Sequence, residues 1–67
     1  MVEFEDCGNG VLHLNVRDYS GEGKSRVLAE TLSAYLSVHK DQQVIVIVPS
    51  TTYHGETTGY TVVVGLV

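Results

Sequence analysis

Val11-Leu12-His13-Leu14-Asn15-Val16-Arg17-Asp18-Tyr19-Ser20-Gly21-Glu22-Gly23-Lys24-Ser25 reads as a strand, then a glycine-rich turn, then the opening of a helix. Upstream, residues 2–7 form the natural partner strand across Gly8-Asn9-Gly10. Asn-Gly often makes a two-residue turn. That register sets Phe4 opposite Asn15 and Leu14 opposite Glu5, which mixes apolar and polar faces. A three-residue loop with Gly10 in the left-handed region instead pairs Phe4 with Leu14 and Val2 with Val16, and places Glu5 opposite His13 on the outer face. A one-residue slip flips a whole strand, so the hydrophobic pattern selects the three-residue loop.

Downstream, the periodicity predicts a helix from about Lys24 to His39. Arg26, Glu30, Ser33, Ser37 and Lys40 form its polar stripe. Val27, Leu28, Thr31, Leu32, Ala34, Tyr35, Leu36 and Val38 form a broad apolar face that must be covered. His39 and Lys40 suit the negative end of the helix dipole. Gln43 to Val48 is a nearly continuous β-branched run, which predicts a strand buried on both faces. Gly59 to Val67 predicts a further strand, with Tyr60, Val62, Val64 and Leu66 on one side and Val63, Gly65 and Val67 on the other. The Thr-rich segment 49–59 between them reads as an extended hairpin with its tip at His54-Gly55-Glu56, and Pro49 marks a bulge or an edge.

The expected fold is a single small α+β domain over 1–67, β-β-α-β-β, with one helix packed on a four-stranded, mainly antiparallel sheet. One helix covers one sheet face, yet Ile45, Ile47, Val63 and Val67 supply apolar side chains for the other. Such a face marks an interface, so the expected state is a homo-oligomer, most simply a two-fold dimer joined by sheet faces or edge strands. The other option is that segment 49–59 folds across that face. A chain of 67 residues has a marginal core of its own. Its lone cysteine, Cys7, allows no internal disulfide, and no paired Cys/His spacing suggests structural zinc.

Eight acidic residues against four basic ones give a net charge of −4. Arg17, Lys24, Arg26 and Lys40 are scattered, so nucleic acid is not an expected partner. The acidic residues are too dispersed for a mimic of DNA. Met-Val-Glu-Phe-Glu has neither the basic nor the apolar region of a signal peptide, and the run Val44 to Val48 is too short to cross a membrane. The expectation is a cytoplasmic protein with no membrane partner and no cofactor. The residues identify no family, although such a layout is common among small bacterial and phage proteins.

Three constellations carry candidate chemistry. Gly23-Lys24-Ser25 matches the second half of the phosphate-binding loop G-x-x-x-x-G-K-[ST], but the first glycine falls on Asp18, whose carboxylate opposes a phosphate. What remains is a helix start at which Gly21, Gly23, Lys24 and Ser25 attract a small anion. The plainer alternative is a tight strand-to-helix turn capped by Ser20. The second constellation is the loop around Tyr53, His54 and Glu56, a candidate contact surface for a protein or small ligand. As metal ligands, His54 and Glu56 need a third partner. The third is Cys7 with His13, a nucleophile pair lacking an orienting group.

Three functions follow in order of preference. The first is a small non-enzymatic module that self-associates and binds a partner protein or small ligand through the 49–59 hairpin. The second is an anion or nucleotide binder at Gly21 to Ser25. The third is a compact enzyme using His54, Glu56 and Cys7 at a subunit interface.

Overall fold

The computed structural model describes residues 2–67. The chain runs β1 (Glu5–Asp6), β2 (Val11–Asn15), α1 (Glu22–Val38), β3 (Gln42–Thr51) and β4 (Thr57–Leu66). The four strands form one sheet in the order β1-β2-β4-β3, with every neighbouring pair antiparallel. This is the β-β-α-β-β domain that the sequence predicts. β4 lies between β2 and β3, which therefore run parallel to each other with the helix connecting them over one face.

The first hairpin has the expected register. Glu5 faces His13, and the Cys7 N–H donates to the Val11 carbonyl at 2.9 Å around a loop of Gly8, Asn9 and Gly10. Gly10 has a φ of 79°, the left-handed conformation that a three-residue hairpin loop demands at its last position. The segment 49–59 does not fold across the sheet. It extends the sheet, with Pro49 paired to Tyr60 and Ser50 to Gly59, and turns at Thr52 to Glu56.

Alternation decides the core. Leu12, Leu14 and Val16 of the β2 stretch and Val62 and Val64 of β4 are buried beneath the helix. Leu28, Leu32 and Tyr35 of α1, together with Phe4 and Val44, pack onto Leu12, Val62 and Val64. The helix begins and ends slightly earlier than its periodicity suggests. His39 is its C-cap, donating its backbone N–H to the Tyr35 carbonyl at 2.9 Å, and its ring stacks on Tyr35 with centroids 4.0 Å apart.

Two expectations about the sheet need correction. The run Gln43 to Val48 is not buried on both faces, because β4 takes the centre and β3 becomes an edge strand. Ile45, Val46 and Val48 are 65%, 44% and 51% exposed. The second correction concerns side-chain direction. A bulge falls between Val44 and Val46, so Val44 pairs with Val64 while Val46 pairs with Val63. The extra residue reverses the alternation. Ile47 consequently pairs with buried Val62 on the helix side, whereas Val46 and Val48 turn to the face without a helix. Ile45 leans over Gly65 on that same open face.

Candidate functional site

The helix start and the hairpin tip, read from the sequence as two separate places, form one assembly. Tyr19 donates its N–H to Val16, and Gly23 donates to the Ser20 carbonyl at 3.0 Å. The turn therefore closes directly after β2. Gly21 is the N-cap, with φ 56° and ψ −130°, a backbone conformation open to glycine and costly for any residue with a Cβ. No side chain caps the helix, so the Ser20 hydroxyl does not play the capping role expected of it; its carbonyl serves instead. The Lys24 N–H is directed to Gly21 O at 3.4 Å, and Ser25 Oγ donates to the Glu22 carbonyl at 3.1 Å.

Lys24 is the one buried charged residue among those described, 8% exposed. Its ammonium donates to the Thr57 carbonyl at 2.6 Å and meets Glu56 Oε1 at 3.3 Å. A buried ammonium has to be satisfied by such partners, because three donors leave water together. The same contacts fix the hairpin. Glu56 is held at the tip by its own N–H on Thr52 Oγ1 at 3.2 Å, while Gly55 donates to Thr52 O at 2.9 Å. With Lys24 committed in this way, an anion at Gly21, Gly23 and Ser25 has to compete with Glu56 for it.

The remaining loop residues point outward. Tyr53 is 99% exposed, and its ring meets His54 edge-on with centroids 5.6 Å apart. The tip thus offers an aromatic pair on a turn anchored from behind by Lys24, a geometry suited to contact with another surface. Among the described residues, no group of three His, Cys, Asp or Glu side chains is placed to hold a metal ion. Cys7 is an exposed free thiol, and its Sγ–H is directed to the carbonyl of Glu5 at 3.8 Å rather than to His13.

A second surface escapes the sequence reading. Between the helix and the segment that precedes β1 lies an open groove of about 620 Å³, walled by Phe4, Tyr19, Val27, Ala34, Tyr35 and Val38 among others. The signal for it is the width of the helix's apolar face. Ala34 and Val38 belong to the apolar face that the sequence expects to be covered, yet both are exposed, Val38 at 77%. The sheet covers Leu28 and Leu32 but leaves the stripe Val27, Thr31, Ala34 and Val38 beside the groove.

No helix among the described residues is long and apolar enough to cross a membrane. Comparison of the chain with protein-family models, with curated proteins and with solved structures gave no match.

Proposed function

We propose that the chain is a small non-catalytic cytosolic module that self-associates as a two-fold dimer through its open sheet face and presents Tyr53 and His54 to a partner. The observation that carries this reading is the apolar surface opposite the helix, where Ile45, Val46 and Val48 lie exposed beside Val63. A face of this kind on a domain with so small a core is what a second copy stabilises. An exposed free thiol at Cys7 suits a reducing compartment.

Sheet faces are a better joint than sheet edges here. Val67 donates to Asp41 O on the β3 side, and Val64 donates to Gly10 O on the β2 side. Antiparallel ladders alternate, so Gln42, Val44, Ile47 and Pro49 turn their backbone groups away from β4. Pro49 has no N–H to offer, and the bulge at Ile45 interrupts the row. Both features blunt an edge against strand addition. The open face instead keeps an apolar patch of Ile45, Val46, Val48 and Val63. Anion binding at Gly21 to Ser25 ranks below this reading, because Lys24 already holds Glu56 and Thr57.

Sedimentation equilibrium at micromolar concentration tests the proposal. The native chain is expected to be a dimer. Val48→Lys on the edge and Thr61→Lys on central β4, both on the open face, are each expected to give a folded monomer. A native chain that remains monomeric overturns the reading. Loss of the dimer in Val48→Lys but not in Thr61→Lys shifts the joint from the face to the edge.

A further inference from the structure

We infer that the groove between α1 and the segment preceding β1 is a docking site for a basic amphipathic helix of a partner protein. One wall is a straight stripe on α1, with Val27, Thr31, Ala34 and Val38 stacked along about three turns. That is the length over which a docked helix places its apolar anchors at three- and four-residue spacing. Ala34 lies at the middle of the stripe and is exposed. Its small side chain lets a second helix approach closely.

The charge of the partner follows from the rim. Glu3 and Glu30 are the only carboxylates lining the groove, and no Lys or Arg lines it. The one ion pair among the described residues joins Lys24 to Glu56, so Glu3 and Glu30 have no ionic partner among those residues. A helix carrying Lys or Arg at the margins of its apolar stripe complements both. Aromatic walls add to the match. Phe4 and Tyr35 pack edge to face with centroids 5.8 Å apart, and the Tyr35 hydroxyl is already occupied by Gln42 Oε1 at 2.7 Å.

The site is independent of the open sheet face and does not rest on self-association. The probe is a fluorescein-labelled Leu/Lys peptide about 14 residues long, roughly four helical turns. It is titrated into the full chain beside a Leu/Glu peptide of the same pattern, and amide NMR shifts locate the contact. Saturable binding of the Leu/Lys peptide alone is expected, with shifts at Thr31, Ala34 and Val38. Ala34→Arg, which blocks the groove at an exposed position, is expected to weaken binding about tenfold or more. Glu30→Lys is expected to weaken it by less, and circular dichroism checks that both variants fold. The inference is overturned by equal binding of the two peptides, by no saturable binding, or by Ala34→Arg having no effect. Shifts confined to Val46 and Val48 overturn it too. Concentration-dependent shifts at Ala34 without peptide identify a second copy as the occupant and also overturn it.

Discussion

On β3 and β4 the two faces of the sheet are built from similar apolar residues and have opposite fates. On β4, Val62 and Val64 turn toward the helix and are buried, while their neighbours Val63 and Gly65 turn to the open face. On β3 the contrast weakens, because Val44 packs against the core cluster while Ile47, on the same side, stays partly exposed beyond the helix's reach. What separates the faces on β3 and β4 is therefore the reach of a single 17-residue helix, not the hydrophobicity of these two strands. A small domain with one helix has one core by construction. Any further apolar face has to be covered from outside or remain wet.

Truncation on each face should break the resemblance between them most sharply. Leu14 is fully buried beneath the helix, so Leu14→Ala removes packed atoms and leaves a cavity. The expected loss is about 2–5 kcal/mol. In a domain of this size, each kcal/mol lowers the melting temperature by roughly 4–8 °C. Val48→Ala on the open face, measured in solution dilute enough to keep the chain monomeric, should cost under about 1 kcal/mol. Comparable losses at the two positions in chemical denaturation would mean that the open face is already covered within one chain.

The contrast between the faces was only half legible in the sequence. The first hairpin could be placed because its strands alternate apolar with polar, so only one register keeps Phe4 and Leu14 together. Val44 to Val48 gives no such guide. Five apolar residues in succession look alike at odd and even positions, and a slip at Ile45 therefore leaves no trace in the pattern. Composition also fails to separate a central strand from an edge strand with an exposed apolar face. The Lys24 contact was hidden for a different reason. It spans 32 residues and exists only because β4 enters between β2 and β3, bringing the hairpin tip to the helix start. The groove was hidden because the helix's apolar face is wider than the sheet beneath it, which covers Leu28 and Leu32 but not Ala34 and Val38.

Two glycines on β4 sharpen the comparison within the open face itself. A Cβ at Gly59 would lie 2.6 Å from the Leu14 carbonyl oxygen and 3.0 Å from His13 Cε1. Backbone cannot give way there, so Gly59→Ala should cost about 1–3 kcal/mol through overpacking. At Gly65 the nearest atom is Ile45 Cδ1 at 2.8 Å, the far end of a flexible and exposed side chain. Gly65→Ala should be close to neutral, because the tip of Ile45 can swing away and the unfolded chain loses freedom. Thermal unfolding of the two variants reads the difference. Equal losses would show Ile45 to be held as rigidly as the backbone.

The finest contrast lies where the helix start meets the hairpin, at the end of the sheet. Lys24 has two partners of unequal standing. Thr57 O is close at 2.6 Å, while Glu56 Oε1 is at 3.3 Å on a side chain that is 67% exposed. Lys24→Met keeps the buried stem but strips the carbonyl of its donor, at an expected cost of about 1–3 kcal/mol. Glu56→Gln keeps an oxygen acceptor and loses only a largely solvated attraction, so under about 1 kcal/mol should disappear. That smaller loss should shrink further in high salt, whereas the Lys24→Met loss should not. A Glu56→Gln loss as large as that of Lys24→Met, and insensitive to salt, would mean that the carboxylate rather than the Thr57 carbonyl anchors the ammonium. The hairpin tip would then be held through Glu56 and not through the backbone at the start of β4.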